Sequence, residues 1–227
     1  MIISIHQPQY LPWLPYLLKI EESDLFIILD SVDFQKNGLQ NRNQIKTAQG
    51  GSWLTVPVRQ KFGQKIVDVE INGGVDWRKK HWVSIVQNYG KASCFNRYAG
   101  ELESLYLKEW EKLIDLNLEL LQMMLRWMEI PTRLLRSSGM QAQGKSSDLV
   151  LNLCREAGAT RYVSGFGGCS YLDSGAFANA GIDIVYRSPN LPVCYPQQYP
   201  KVGFLNDLSA LDLILNCGTD WRSFVGG

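Results

Sequence analysis

Two positions near the start of the chain carry residue types that proton transfer requires. His6 follows a short apolar run, residues 1–5, and Asp30 follows a second one, residues 25–29. A histidine that is neutral near pH 7 can accept a proton from an amine or a hydroxyl group. We therefore interpret His6 as a candidate general base, with Asp30 or Asp33 as the carboxylate that orients it or the substrate.

The segment after Asp33 is denser in hydrogen-bonding side chains than a plain connection requires. Lys36 and Arg42 could hold a diphosphate, and the Arg42 guanidinium could do so through two parallel hydrogen bonds. The alternative is a solvated loop stabilised by an Asx turn. In this part of the chain the candidate substrate-binding residues are Gln7, Tyr10, Lys36, Asn41, Arg42 and Asn43.

A glycine-rich segment, residues 164–168, follows a predicted strand. Its backbone amides could contact a phosphate or a substrate carbonyl, so Ser164 and Gly165 are further candidates for substrate binding. An ordinary turn is the alternative. The G-x-S-x-G pattern of many serine hydrolases does not surround Ser164, which disfavours that class of enzyme.

Residues 139–146 fit the P-loop pattern G-x-x-x-x-G-K-[ST]. In a P-loop, Gly144, Lys145 and Ser146 would contact the phosphates and Mg²⁺ of Mg-ATP. This stretch lies past the middle of the chain, however, and residues 140–143 contain no glycine. We therefore favour a glycine turn in which a serine caps the next helix, and we keep the three residues as weak phosphate-binding candidates.

Strands and helices alternate along the sequence, which is typical of an α/β fold. The apolar runs before His6 and Asp30 indicate buried strands, and the helical segment between them indicates that these strands are parallel. Ligands bind at the carboxyl ends of such strands. We expect a mostly parallel sheet flanked by helices, with a ligand cleft at the strand carboxyl ends.

The length predicts a single α/β domain over residues 1–227. A strongly helical segment, about 76–130, is either inserted into this domain or forms a small lobe. Alternating apolar side chains predict a half-exposed strand over residues 66–71. The proline-rich residues 189–199 are predicted to be irregular.

The composition excludes several classes of protein. The 23 basic and 22 acidic residues give a net charge of +1, so no general nucleic-acid binding is expected. The sequence has no apolar run long enough to span a membrane and no signal peptide, so we expect a cytoplasmic protein. The five cysteines are scattered without metal-ligand spacing. We interpret them as free thiols and predict neither a metal nor a cofactor.

The motif of residues 6–13, HQPQYLPW, is long and specific, and later segments accompany it: residues 19–20, 23–24, 40–43, 53–58, 162–165, 171–172 and 208–213. Together they resemble the WbqC-like protein family over nearly the whole chain. Pro15 stands where we expect a glycine of the family, so the local backbone there is expected to differ. Members of this family occur among bacterial genes for O-antigen (lipopolysaccharide) and other surface polysaccharides.

The resemblance implies work on sugars or their nucleotide-activated forms. Combined with the cluster of His6, Asp30 and Arg42, it leads us to expect an enzyme that acts on a nucleotide-linked amino sugar, with acyl or aminoacyl transfer as the reaction that suits this cluster. The resemblance also adds Tyr171, which lies in a matching segment, to the substrate-binding candidates. Two alternatives stay open. One is an NTP-using transferase or nucleotidyltransferase, although the second histidine of an H-x-G-H signature is missing after His6. The other is a non-catalytic protein that binds a sugar nucleotide.

Overall fold

The computed structural model describes residues 1–188 and 193–225, so residues 189–192 of the predicted irregular stretch lie outside the described part. The strands are β1 (Ile2–His6), β2 (Leu25–Ile28), β3 (Arg42–Thr47), β4 (Gly50–Thr55), β5 (Val58–Arg59), β6 (Glu70–Ile71), β7 (Arg133–Arg136), β8 (Arg161–Gly165) and β9 (Asp183–Arg187). The helices are α1 (Leu14–Glu21), α2 (Trp77–Tyr89), α3 (Phe95–Leu107), α4 (Leu113–Trp127), α5 (Ser146–Glu156), α6 (Ser174–Asn179) and α7 (Leu211–Cys217).

The chain forms two compact units. The first comprises Met1–Pro8, Pro15–Val32 and Ile130–Leu191. The second comprises Gln9–Leu14, Asp33–Glu129 and Pro192–Gly227. The prediction of a single domain stays a prediction.

Among the described residues, five strands of the first unit form a parallel sheet in the order β7-β2-β1-β8-β9. Every residue of β2 is buried, as expected for a parallel strand that is covered on both faces. Ile3, Ile5 and Ile27 belong to one core cluster with Leu149 and Leu153 of α5. Each such side chain contributes roughly 1.5–3 kcal/mol by burial. The predicted α/β fold, with a parallel sheet flanked by helices, is confirmed.

The order of the strands determines where this sheet can bind a ligand. The chain begins in the middle of the sheet with β1, continues outward through β2 to β7, and then returns to the other side of β1 with β8 and β9. The direction of winding therefore reverses between β1 and β8. Open α/β sheets bind ligands outside the carboxyl ends of the strands at this topological switch point.

Asp30 is fully buried just beyond β2, and it connects the ends of β2 and β7. Its carboxylate accepts hydrogen bonds from Arg136 Nε at 2.7 Å, from Ser137 Oγ at 3.1 Å, and from the backbone N–H and Oγ of Ser138, both at 2.8 Å. Both carboxylate oxygens are thus engaged by residues 136–138. A buried charge with such partners fixes the local geometry, and removing it leaves the partners unsatisfied.

We predict that Asp30→Asn lowers the free energy of unfolding by on the order of 3 kcal/mol, because Arg136 loses its buried counter-charge. Asp33→Asn is the matched control, since Asp33 pairs with Lys65 at 2.7 Å in an exposed ion pair. Asp33→Asn should lower the free energy of unfolding by less than about 1 kcal/mol. Urea denaturation of both variants measures the difference, and equal losses would contradict this account.

In the second unit, β3 pairs with β4 and β5 pairs with β6, both antiparallel. The helices α2, α3 and α4 occupy the segment that was predicted to be helical. The predicted strand over residues 66–71 is wrong in its first half, because Ile66–Asp68 is a 3₁₀ turn and β6 covers only Glu70–Ile71. Ile66 and Val69 are both buried, and a tight turn brings residues at this spacing to one side.

His81 of α2 is buried in a polar network of the second unit. Its Nδ1 atom lies 2.8 Å from the Tyr10 hydroxyl, which in turn lies 2.7 Å from the Tyr106 hydroxyl. The histidine also forms a hydrogen bond with the Thr55 backbone. Burial lowers the pKa of His81 to about 4, despite the opposing effect of that backbone hydrogen bond. The ring is therefore neutral at pH 7, and both it and Tyr10 have structural partners.

We predict that this histidine makes the protein less stable in acid. Its pKa is lower in the folded chain than the ordinary value of 6.5, so between these values the unfolded chain binds more protons. Between pH 6.5 and pH 5, wild type should lose about 1 to 2 kcal/mol more of its free energy of unfolding than His81→Gln loses. Denaturation curves at both pH values measure this difference. If wild type and His81→Gln lose the same free energy of unfolding, the prediction is wrong.

Candidate functional site

The two central strands of the first unit separate at their carboxyl ends. β1 pairs with β2, and β8 pairs with β9, up to the end of each strand, whereas the pairing of β1 with β8 stops earlier on both strands. The last pairs of these three ladders are His6–Ile28, Gly165–Arg187 and Ser4–Val163. This opening in the strand pairing lies at the topological switch point. We call the surrounding region the switch-point site and define it by His6, Gln7, Ser164, Gly165 and the turn of residues 166–170.

His6 enters this site in a defined protonation state. Its Nδ1 atom lies 3.0 Å from the carbonyl oxygen of Gln7. Because a carbonyl can only accept, Nδ1 carries the proton and Nε2 keeps its lone pair. The ring packs edge-to-face against Tyr16, with centroids 5.1 Å apart. Burial and the positive charge of Lys19 lower the pKa of His6 to about 3, which outweighs the hydrogen bond to Gln7.

The glycine-rich segment after β8 forms the other side of the switch-point site. Phe166–Ser170 is a 3₁₀ turn that directly follows β8. Ser164 is buried, and its hydroxyl donates to the carbonyl oxygen of Gly165 at 3.0 Å. A Cβ atom at Gly168 would overlap Ser164 Oγ and would lie 2.9 Å from Leu172 Cδ1. A side chain at position 168 would therefore displace the Ser164 hydroxyl and the Leu172 side chain, which glycine leaves in place.

Two aromatic side chains near this turn are available to a ligand. Phe166 is 63% exposed and Tyr171 is 48% exposed. Rings at the edge of a site can stack on a sugar or a base. Tyr171, a predicted substrate-binding residue, thus lies in the first unit close in sequence to the switch-point turn.

Lys19 was missed as a site residue. Its side chain, on α1, is 5% exposed, and its ammonium donates to the Ile5 carbonyl at 3.0 Å. Burial lowers its pKa to about 7. The sequence does contain a signal, because Lys19 follows Tyr16 at the i+3 spacing of a helix that must cover a parallel sheet. A charged residue at a buried spacing usually has a partner or a function.

The structure accounts differently for two other predictions in the first unit. Asp30 contacts residues 136–138, as described above, so its predicted role as the partner of His6 rests on no observed contact. In the P-loop-like stretch, the backbone amides of Gln141 and Ala142 donate to the carboxylate of Glu156, at the carboxyl end of α5, at 2.9 and 2.7 Å. These amides therefore surround an acidic side chain of the protein.

This arrangement differs from a P-loop, whose amides face an anion at the amino end of the helix. The side chain of Asn152 donates to the carbonyl of Gln143, so the stretch runs along α5 towards its amino end. Gly144 has a φ of 129°, Ser146 has a φ of 49°, and Lys145 is exposed. Phosphate binding by these three residues stays a prediction.

The remaining candidates lie in the second unit, and the side chains of two of them bind its backbone. The Asn41 side chain donates to the Val56 carbonyl at 2.9 Å, whereas its buried Oδ1 atom accepts no hydrogen bond from the described residues. The Asn43 side chain donates at 2.6 Å to the carbonyl of Leu11, a buried residue with a φ of 45°. Backbone in that region is costly for a residue other than glycine, so Asn43 stabilises a strained position.

Arg42, Lys36 and Asp33 are more accessible to solvent. The Arg42 guanidinium stacks on Trp53 at 4.4 Å from the ring centroid, and Trp53 is 45% exposed. Lys36 is exposed, and Asp33 pairs with Lys65. The structure thus places His6, Gln7, Ser164 and Gly165 at or just beyond the carboxyl ends of two neighbouring strands, whereas Tyr10, Asp33 and residues 36–43 belong to the other unit.

Two kinds of feature are absent from residues 1–188 and 193–225. No helix there is long and apolar enough to cross a membrane. In the same ranges, no group of three or more histidine, cysteine, aspartate or glutamate side chains is placed to hold a metal ion.

Comparisons with known proteins place the chain in a family. The profile of the WbqC-like protein family matches residues 7–223. The uncharacterized protein Rv1507c of Mycobacterium tuberculosis (strain ATCC 25618 / H37Rv) is 37% identical over 226 residues, which cover 98% of this chain and 96% of that protein. No solved structure matches the chain. The match over nearly all of its length shows that this chain belongs to the WbqC-like protein family.

Proposed function

We propose that this protein is an enzyme of bacterial surface-polysaccharide (O-antigen) biosynthesis that binds a nucleotide-linked amino sugar at the switch-point site. The reaction that we propose is the transfer of an acyl or aminoacyl group to the sugar. The separation of β1 and β8 carries this proposal, because it opens the sheet at its ligand-binding position. The opening is bordered by a histidine with a free lone pair and by a glycine-rich turn.

His6 would accept the proton of the attacking amine. In acyl transfer, the nitrogen of the amino sugar attacks the acyl carbonyl, the amine proton moves to His6 Nε2, and the leaving group departs with the displaced electron pair. The tautomer supports this role, because Nδ1 is committed to the Gln7 carbonyl. The glycine-rich turn would contact the developing oxyanion with its backbone amides. Phe166 and Tyr171 would stack on the base or the sugar.

A second candidate function has its own support. With a pKa of about 3, His6 is a poor base near pH 7, although it is a good neutral hydrogen-bond acceptor. A protein that binds a sugar nucleotide without turning it over would need no more than this. Both functions use the same site, so ligand binding tests them together. The free cysteines agree with the cytoplasmic location that we propose for either function.

We predict that a nucleoside diphosphate raises the melting temperature of the protein. Ligand at about 100 times its Kd adds ~2.7 kcal/mol, which for a chain of this size corresponds to a shift of roughly 5–10 °C. The panel consists of UDP, dTDP, GDP, CMP and ATP, each with and without Mg²⁺. Failure of every nucleotide to raise the melting temperature would remove the proposed function.

The matched variants are His6→Gln and His81→Gln. His6→Gln should reduce the shift caused by the best nucleotide, because it alters the switch-point site directly. His81→Gln should leave that shift unchanged, since His81 belongs to the polar network of the second unit. An equal loss in both variants would indicate a general loss of folding.

We predict that alanine substitution has very different effects on stability at the neighbouring residues Gly168 and Gly167. A Cβ atom at Gly168 would collide with Ser164 and Leu172, whereas a Cβ atom at Gly167 meets nothing within 4 Å. Gly168→Ala should lower the free energy of unfolding by about 1–3 kcal/mol and weaken nucleotide binding. Gly167→Ala should change neither by much. Chemical denaturation and titration of the two variants test this, and equal effects would contradict the close turn.

A further inference from the structure

The buried ammonium of Lys19 lies where β1 and β8 separate. The His6 carbonyl accepts from the Leu29 backbone N–H at 2.8 Å, on the β2 side of β1. Carbonyls of successive strand residues point to opposite neighbours, so the Ile5 carbonyl points towards β8. The pairing with β8 has already ended at Ser4–Val163. Lys19 Nζ binds this released carbonyl at 3.0 Å and thus lies at the opening of the switch-point site.

The immediate surroundings of Lys19 are polar but carry no negative charge among the described residues. The Ser23 hydroxyl oxygen lies 2.7 Å from Ser4 Oγ and 2.8 Å from the Lys19 backbone carbonyl oxygen. On β2, the Phe26 ring centroid lies 6.0 Å from Nζ. His6 on β1 and Tyr16 on α1 are the titratable neighbours, and neither supplies an anion. The ammonium has three donors, and the carbonyl of Ile5 uses one.

A second buried lysine shows what a satisfied ammonium looks like in this protein. Lys46, in the second unit, donates to Gln197 Oε1 at 2.9 Å and to the Gly203 carbonyl at 2.5 Å. The charge of the buried Asp212 also acts on it. Buried charges in proteins are normally paired in this way, because an unpaired buried charge is costly. Lys19 has the burial of Lys46 without the counter-charge.

We propose that Lys19 is the anion-binding residue of the switch-point site and that it binds a phosphate group of the nucleotide-linked sugar. This inference rests on the proposed function and specifies which protein group holds the phosphate. The phosphate supplies the missing negative charge, and the two remaining donors of the ammonium supply its hydrogen bonds. Lys19 reaches this phosphate from α1, while His6 lies beside it on β1.

Phosphate binding at Lys19 would also activate His6. The positive charge of Lys19 is one of the causes that lower the pKa of His6. A bound anion offsets this charge, so the pKa of His6 rises when substrate binds. Burial is the larger cause of the low pKa and acts in both states, so the histidine becomes a stronger base in the complex than in the free protein while its pKa stays below the ordinary value.

The first test compares wild type with Lys19→Met, a substitution of similar length that suits a buried position. The Kd for UDP and for dTDP is measured by calorimetry, and the melting temperature is measured without ligand. We expect the variant to bind the responding nucleotide about 10- to 100-fold more weakly, because a charge-assisted hydrogen bond is lost. Its melting temperature should be unchanged or higher, since a buried charge has been removed.

A merely structural lysine gives the opposite result, a lower melting temperature with an unchanged Kd, and this would overturn the inference. Lys46→Met is the matched control: it should lower the melting temperature and leave the Kd within about twofold of wild type. If no nucleotide binds wild type, the proposed function fails as well. If a nucleotide binds wild type and Lys19→Met equally, the proposed function stands and the role of Lys19 is refuted.

A second test uses wild type alone and does not depend on folding of the variant. With its pKa of about 7, Lys19 loses its proton between pH 6.5 and pH 8.5, so the Kd for the nucleotide should weaken by about tenfold over this range. The terminal phosphate of the ligand gains negative charge over the same range, which by itself would strengthen binding to a fixed cation. A constant or improving Kd would overturn the inference.

Discussion

The early end of the pairing between β1 and β8 is the constraint on which the candidate site depends. A parallel sheet whose chain starts in the middle must reverse its winding at its first strand, so β1 and β8 carry connections that leave in different directions. Their separation after Ser4 and Val163 releases the Ile5 carbonyl, which Lys19 then binds. It also leaves His6 and the turn after Gly165 on the two sides of one opening.

The polar residues that were functional candidates differ in how many of their hydrogen-bonding atoms have partners in the protein. Asp30, Asn43 and His81 have protein partners for their polar atoms. Their hydrogen bonds stabilise the local structure of the unit to which each belongs. Glu156 occupies the amides of the P-loop-like stretch. His6 and Lys19 differ from these, since each keeps hydrogen-bonding capacity at the switch-point site. Residues with unused capacity in a ligand-binding position are better functional candidates than residues with full networks.

Much of the architecture could be predicted from the sequence, because apolar runs bounded by polar residues indicate buried parallel strands. His6 was placed at a strand end for the same reason. The position of β7 beside β2, and hence the strand order, could not be predicted, since order depends on packing across long sequence separations. Asp30 looked catalytic because its partners at 136–138 are over a hundred residues away. Lys19 was overlooked because burial of one lysine depends on where β1 and β8 separate.

The central claim is that the ligand binds at the switch-point site. Hydrogen–deuterium exchange tests it most directly, measured with and without the nucleoside diphosphate that stabilises the protein. We predict that ligand slows amide exchange in residues 5–8 and 163–168, the two sides of the switch-point site. Slowed exchange at residues 139–146, with residues 5–8 and 163–168 unchanged, would contradict the account. That result would move ligand binding to the P-loop-like stretch.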